Sequence, residues 1–362
     1  MAERKAVALL SGGLDSILAV RLILDQGIKV TALRFLTHFG CDAIGGGSCG
    51  HDVSGLSREM GFELKHCHLG EEYVGMVKNP RYGWGKNMNP CIDCRIMMLR
   101  SAREFMEVSG ASFLFTGEVV GQRPMSQRRD SFPVIDRDAG LKGYILRPLS
   151  AKLLPITIPE AEGIVDRSRL MDISGRSRKR QYELAARFGI TEFGQPAGGC
   201  LLTEPNYSVR LRDLFAHVEH PGTGDINLLR LGRHFRPNRL CKIVVGRNEL
   251  ENRAIEGLVD AEDVVVQPVD FMGPATIVRG RWSEMDVRLA AQLTVRYGDV
   301  EKGMAGTVET IPGSEWISRG SSAACRKTLT ITGADDTVLT LRIEKQQGKK
   351  KSSRPSQPAP AV

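Results

Sequence analysis

Five apolar residues, Ala6-Val7-Ala8-Leu9-Leu10, give way to Ser11-Gly12-Gly13-Leu14-Asp15-Ser16 and then to a helical spacing of Ile17, Leu18, Val20, Leu22, Ile23 and Leu24. That order predicts a strand, a tight turn and a helix. The apolar pattern continues with a strand over Lys29–Leu36, a helix over Val53–Met60 and a strand over Phe62–His68. A helical run at Ile96–Val108, a compact strand at Ala111–Thr116 and a strand at Tyr144–Pro148 extend it. Alternation of this kind predicts an α/β fold with a doubly wound parallel sheet, whose ligands gather at the carboxyl ends of the strands. Ser11–Ser16 lies at such an end.

Ile158-Pro159-Glu160 is expected to open a basic helical stretch that carries Arg167, Arg169, Arg176, Arg178, Lys179 and Arg180, broken at Pro196-Ala197-Gly198-Gly199-Cys200. From about Leu214 the pattern changes to short strands at Cys241–Val245, Val264–Pro268 and Ala275–Val278, then a helix at Glu284–Tyr297. This predicts a separate α+β domain. Thr328–Ile331 and Val338–Ile343, joined through Gly333-Ala334-Asp335-Asp336, read as a terminal hairpin. The chain is thus expected to divide into residues 1–213, 214–300, a β extension at 301–347 and a disordered basic tail at 348–362.

With 362 residues, 41% hydrophobic and 25% charged, the chain has the make-up of a soluble globular protein large enough for two cores. No apolar run is long enough for a membrane span, so the cytoplasm is the expected compartment. Eight cysteines are too sparse for a disulfide scaffold, and clustered ones point to metal binding or catalysis. The net charge of +8 suits a polyanionic partner, but Lys349, Lys350, Lys351 and Arg354 in the tail supply half of it.

Two glycines at Gly12-Gly13 let the backbone pass close to a bound group, and the unpaired N–H groups of the following helical turn suit a phosphate. A kinase-type Gly-x4-Gly-Lys-Ser/Thr loop is absent from the sequence. Cys91-x-x-Cys94 falls near a helix start, where the dipole favours a thiolate. Cys200 stands alone between Gly-Gly and Leu-Leu. Three thiolates without a fourth suit a [4Fe–4S] cluster with one iron open, since a closed structural site takes four ligands. The competing chemistry is a persulfide relay, in which one thiol carries sulfur and another displaces it as a disulfide. A second metal site from Cys41, Cys49 and His51 with Cys67 or His68 is less expected than loop and core roles for these residues.

Ser11-Gly12-Gly13-Leu14-Asp15-Ser16 resembles the PP-loop of the ATP pyrophosphatases, which have the adenine nucleotide α-hydrolase-like fold. Thr116-Gly117-Glu118-Val119-Val120-Gly121-Gln122, with Ser126-Gln127 and Arg147-Pro148-Leu149, is similar to the signature of tRNA 4-thiouridine synthases. Asn89-Pro90-Cys91 resembles the corresponding motif of tRNA 2-thiouridylases. Together these matches cover roughly residues 4–205. Arg233-His234-Phe235-Arg236, Val245-Gly246-Arg247-Asn248 with Glu251-Asn252, and Phe271-Met272-Gly273-Pro274 look like the NFACT-R domain, presumed to bind RNA.

The resemblance implies an ATP-dependent tRNA sulfurtransferase that adenylates a uridine carbonyl oxygen and replaces it with sulfur, giving 4-thiouridine or 2-thiouridine with AMP and pyrophosphate. Ser11, Gly12, Gly13, Ser16, Gly117 and Gln122 are then expected at ATP, with Asp15 helping to hold Mg²⁺. Gln122, Ser126 and Gln127 are expected to position the base or the adenylate. Cys91, Cys94 and Cys200 are expected to hold the cluster or carry the sulfur. Arg178, Lys179, Arg180, Arg233, Arg236 and Arg247 are the expected tRNA contacts. The chain is too short at its start for the THUMP domain of 4-thiouridine synthases and shows no rhodanese-like end. Another tRNA-recognition surface and an outside sulfur donor, free sulfide or a cysteine desulfurase-linked carrier, are therefore expected; a homodimer is left open. The alternatives are a PP-loop enzyme forming AMP on a small-molecule substrate and a non-catalytic RNA-binding protein.

Overall fold

The computed structural model describes residues 4–40, 53–194, 200–318 and 326–344. The chain forms two compact units, Met1–Glu204 and Pro205–Val362.

The first unit is built on five parallel strands: β1 (Lys5–Leu9), β2 (Lys29–Leu36), β3 (Glu63–His68), β4 (Phe113–Thr116) and β5 (Ile145–Leu146). Their order in the sheet is β3-β2-β1-β4-β5. The helices are α1 (Leu14–Leu24), α2 (Val53–Met60), α3 (Glu71–Lys78), α4 (Cys91–Ser109), α5 (Ser131–Asp138), α6 (Ile158–Ala161) and α7 (Lys179–Arg187). Central strands are apolar on both faces because helices cover both. Phe113 and Phe115 of β4 join Ala6, Ala8 and Ile17 on one side, and Leu114 joins Val7, Leu9 and Leu99 on the other. The strand order reverses between β1 and β4, which opens a crevice at their carboxyl ends. Ser11–Ser16 leaves β1 there, and Gly117–Gln127 leaves β4.

The expected basic helix over 158–180 is not continuous. Residues 158–161 form α6, Arg167–Arg169 makes one 3-10 turn, and α7 begins only at Lys179. Gly163 and Gly175 have φ values of 71° and 83°, which a right-handed helix cannot contain, and Ser174 pairs instead with Val120.

The second unit comprises α8 (Pro205–His217), α9 (Thr223–Leu228), β6 (Arg233–Phe235), β7 (Cys241–Val245), α10 (Glu249–Glu256), β8 (Val264–Pro268), β9 (Thr276–Gly280), α11 (Glu284–Arg296), β10 (Ala305–Pro312), α12 (Gly313–Ser318) and β11 (Lys327–Thr332). Its antiparallel sheet has the order β11-β10-β8-β9-β7-β6. α11 covers one face through Ala290, Ala291 and Leu293, against Val266, Val278 and Val308.

Three boundaries differ from expectation. α8 belongs to the second unit, because Arg210 donates to the carbonyls of Leu229 and Gly232 and Asp213 binds Arg236, so the division falls before residue 213. Residues 301–347 are not a separate extension, because β10 and β11 are strands of the same sheet. The terminal hairpin is absent: β11 pairs with β10, and Asp336–Leu341 is a 3-10 turn whose start is capped by the Asp335 carboxylate accepting from Thr337 N–H. The expected tail at 348–362, together with Cys41, Cys49, His51 and Pro196–Gly199, lies outside the described residues.

Candidate functional site

Gly12 sits at φ 77°, and a Cβ there would come within 3.1 Å of Val53 Cγ2. Its carbonyl accepts from Gly194 N–H at 3.0 Å, so the turn is held from the segment just before the third cysteine. Ser16 Oγ donates to the Gly13 carbonyl at 2.8 Å, and Ser11 Oγ donates to Ser16 Oγ at 3.2 Å. The side chains of Ser11 and Ser16 therefore brace the turn; the Ser16 and Ile17 N–H groups donate to the Gly13 carbonyl at 3.0 and 3.2 Å, which leaves those of Leu14 and Asp15 without an intrahelical acceptor.

Asp15 lies in this turn with one carboxylate oxygen held and one not. Gln122 Nε2 donates to Oδ2 at 2.5 Å, and Arg178 Nη2 stands 3.9 Å from the same atom. Oδ1 is buried without a hydrogen-bond partner among the described residues. Gln122 is itself fixed, since the buried Gln181 donates to its Oε1 at 3.1 Å. An orphaned carboxylate oxygen beside a phosphate-type turn fits a divalent cation travelling with a nucleotide.

Gly117 is expected at the nucleotide, and the structure gives it a steric task. A Cβ at this position would lie 2.5 Å from Asp15 C, Ser16 N and Ser16 Cα. The loop after β4 thus packs backbone to backbone against the first turn of α1, which only glycine permits. The next residue, Glu118, is buried and receives Arg147 Nε at 3.2 Å and Arg95 Nε at 3.0 Å. Arg147, also buried, grips Asp136 with both Nη atoms at 3.0 and 2.7 Å and lies 3.9 Å over the Phe132 ring. The Thr-Gly-Glu and Arg-Pro-Leu motifs therefore form an internal ion cluster under the site.

Cys91 and Cys94 open α4, one helical turn apart. Asp93 between them is buried and accepts from the backbone N–H groups of Arg81 and Tyr82, both at 3.0 Å, which fixes the loop that precedes the helix. Cys200 reaches the same place through that loop. Met88 N–H donates to Leu202 O at 3.0 Å, Asn87 Nδ2 donates to Thr203 O at 2.6 Å, and Leu201 N–H donates to Phe39 O at 3.2 Å. Asn87 has φ 59°, a conformation that asparagine tolerates better than most residues.

Around the thiols, Asn89 Nδ2 donates to Cys91 Sγ at 3.4 Å, and Ser126 Oγ donates to it at 3.9 Å. The Tyr73 hydroxyl lies 3.1 Å from Cys94 Sγ. Burial pushes the Cys200 thiol up to about 12, with the neighbouring Cys94 and Cys91 adding to the shift. Burial likewise raises Cys94, and Cys91 contributes; the Tyr73 hydroxyl is raised by burial first and then by all three cysteines. Cys94 and Cys200 are thus in poorly solvated surroundings, within electrostatic reach of each other and of Cys91. Among the described residues, no set of three His, Cys, Asp or Glu side chains is arranged to hold a metal ion.

The expected RNA contacts divide. Lys179 is exposed, Arg178 faces Asp15, and Arg180 pairs with Asp172 at 2.6 Å. In the second unit Arg236 is bound at both ends to Asp213 and donates to Cys241 O, so its role there is internal. Arg247 is paired with Glu251. Arg233 donates to Gly246 O at 2.9 Å and lies 4.4 Å over the Tyr297 ring. Tyr73, Asn87, Arg95 and Gln181 are site residues that sequence reasoning does not single out; only the spacing of Arg95 after Cys94 offered any signal.

The family model described as "Thiamine biosynthesis protein (ThiI)" matches residues 1–153, and that described as "NFACT protein RNA binding domain" matches residues 232–316. The chain is 27% identical over 156 residues to a "Probable tRNA sulfurtransferase" of Thermococcus kodakarensis, covering 41% of this chain and 37% of that protein. It is 28% identical over 254 residues to the tRNA-specific 2-thiouridylase MnmA of Nitratidesulfovibrio vulgaris, covering 64% of this chain and 65% of that one. The chain therefore spans less than two thirds of the length of these curated relatives. A solved 4-thiouridine synthetase–RNA complex with bound ATP is 21% identical over 52% of each chain at a TM-score of 0.32, a slight likeness. Residues 1–153 are thus similar to the ThiI type of tRNA sulfurtransferase, and residues 232–316 to the NFACT RNA-binding domain.

Proposed function

We propose that this protein is an ATP-dependent tRNA sulfurtransferase of the cytoplasm. One observation carries the reading: the single loop Gly117–Gln127 touches the nucleotide turn through Gln122 and Asp15 and the thiol pocket through Ser126 and Cys91. Activation and sulfur transfer are thus served from adjoining places on one loop.

Ser11–Ser16, with the Leu14 and Asp15 N–H groups, would hold the pyrophosphate portion of ATP, and the Asp15 carboxylate, one oxygen of which has no partner among the described residues, would help hold Mg²⁺. The uracil carbonyl oxygen attacks the α-phosphorus, and pyrophosphate leaves. The base is then joined to AMP, a far better leaving group than oxide. A sulfur nucleophile adds to the activated carbon, and AMP departs. Gln127, whose Oε1 is buried without a partner, lies on the same loop and is available to a donor on the base. The sulfur is handled by Cys91, Cys94 and Cys200 and supplied from outside. Their number and softness suit a [4Fe–4S] cluster, which when bound would supply an open iron for sulfide. Among the described residues the three side chains do not form a metal-holding set, so iron content is the deciding measurement between cluster and relay.

The test is incubation of anaerobically purified protein with unmodified tRNA, ATP and sulfide, followed by mass spectrometry of the nucleosides. A thiouridine appearing together with AMP is expected, and its mass spectrum and retention assign C2 or C4. AMP formation that needs no tRNA and leaves no thiolated nucleoside would move the enzyme to a small-molecule substrate.

A further inference from the structure

The arginines of the family-like motifs in the second unit already have partners, Arg236 in Asp213, Arg247 in Glu251 and Arg233 in Gly246 O, whereas other arginines of the unit have none among the described residues. Two turns and a helix start supply them. The turn Asn238–Leu240 is tied to α11 by Asn238 Nδ2 donating to the buried Asp286 at 2.9 Å, and to the end of β9 by Arg281 N–H donating to Leu240 O at 3.0 Å. Gly280, at φ 97°, makes that approach; a Cβ there would lie 2.2 Å from Leu240 O. On α11, Met285 and Arg288 stand one turn apart on the exposed side. Arg239, Arg281 and Arg288 are exposed, and none has a side-chain hydrogen bond or ion pair among the described residues. Trp282 follows Arg281 directly and is 42% exposed, with its indole N–H donating to Glu262 O at 2.9 Å. Leu240 and Met285 are 59% and 82% exposed beside it. Of the nearby acids, Glu284 is paired with Lys327 at 3.0 Å, which leaves Glu262.

We propose that this patch, with Trp282 at its centre and Arg239, Arg281 and Arg288 around it, is the surface on which the second unit holds a single-stranded segment of RNA. It rests on the proposed tRNA substrate and names where that substrate is met. A half-exposed ring held by its N–H is suited to stack on a base. Three unpaired guanidinium groups at its rim complement the flanking phosphates. A protein partner would be expected to pair more of the apolar area and to need fewer uncompensated cations.

The experiment is fluorescence anisotropy of the full chain with a labelled single-stranded RNA and with tRNA, across a salt series. Trp282→Ala should weaken single-strand binding by about 5- to 150-fold, the range for losing one stacked base, while Trp282→Phe retains most of the affinity. The triple variant Arg239→Ala, Arg281→Ala, Arg288→Ala should flatten the slope of log K against log salt by about 2. Arg247→Ala, kept as a control, should leave that slope unchanged. Circular dichroism of each variant confirms folding. Variants that bind both RNAs with the wild-type affinity and slope would overturn the proposal and leave the patch to a protein partner. A wild-type chain that binds neither RNA would overturn the proposed substrate as well.

Discussion

Replacing Gly117 by alanine adds one methyl group, yet it tests the joint on which the whole site depends. The new Cβ would stand 2.5 Å from three backbone atoms of Asp15 and Ser16. Carbon contacts settle at about 3.5–4.0 Å, so the loop and the helix start must part by about 1 Å. No flexible side chain is present to give way, because all three atoms are backbone. The cost should therefore sit at the upper end of the overpacking range, about 3 kcal/mol. For a unit of about 200 residues this lowers the melting temperature by about 6–12 °C. The same movement carries Asp15 away from Gln122, and a displacement of about 1 Å in a reacting constellation costs about a hundredfold in rate. Thermal unfolding followed by circular dichroism reads the first effect, and pyrophosphate release from ATP reads the second. Gly75→Ala supplies the contrast. This glycine is exposed in the middle of α3 with nothing within 4 Å of its would-be Cβ, so alanine should stabilise by about 0.5–1 kcal/mol. A Gly117→Ala protein that melts within about 1 °C of the wild type and releases pyrophosphate at its rate would refute the reasoning.

Asp15→Ala should keep the fold and lower AMP formation by about a hundredfold or more, read as AMP by chromatography, because a preorganised charge at the reacting phosphates is lost. Arg147→Met leaves the buried Glu118 carboxylate with Arg95 as its one remaining cation among the described residues and the half-buried Asp136 carboxylate without its Arg147 partner, so urea unfolding should show a loss of about 3 kcal/mol, the lower end for a broken buried pair. Cys91→Ala, Cys94→Ala and Cys200→Ala should each abolish thiolation while sparing AMP formation. About four irons per anaerobically purified wild-type chain would accompany the cluster, and an iron-free enzyme that thiolates would decide for the relay. Lys242 is buried, and desolvation brings its ammonium down to about 7 despite Asp213 at 3.8 Å. Between about pH 7 and 10.5 the unfolded chain then binds the extra proton, so this group's contribution rises with pH across that window and is least favourable below pH 7. Lys242→Met should remove that part of the slope and be the more stable form at pH 6, measured as the difference between the two urea-unfolding curves. Taking the difference cancels the opposing contribution of Cys241, whose thiol burial raises to about 12.

The first sheet was legible because its central strands, β1 and β4, are apolar runs bounded by turn residues, and covering helices make the runs continuous. α2, β2, β7 and β8 fall where the pattern places them. Short helices were not legible. α3 carries Gly75 in its middle, and α10 exposes Leu250, so neither shows a clean apolar stripe; their existence is decided by what they pack on. The same holds within the site. The turn at Ser11–Ser16 announces itself through its glycines, and the return of Cys200 to Cys91 follows from the topology. Tyr73 had no such signal: its hydroxyl reaches Cys94 from a helix the pattern does not show. Asn87 matters through a positive φ and a bond to Thr203, which is 116 residues away, and neither can be read from its neighbours.

The arginines of the second unit show why a motif locates a region more reliably than a contact. Arg247 lies just before α10 and four residues before Glu251, whose carboxylate reaches back to it across the helix start. Arg236 is claimed by Asp213, 23 residues earlier and in a different helix, and that pairing could not be inferred. A phosphate competing for either must first displace a carboxylate, and at Arg236 a largely buried one, whereas Arg239, Arg281 and Arg288 can meet it with no pair to break. The useful quantity is thus the guanidinium groups left over once the fold has used what it needs. In sequence these three look like unremarkable charges beside turns. The fold ties their segments together beside Trp282, through Asn238 and Asp286 and through Arg281 N–H and Leu240 O.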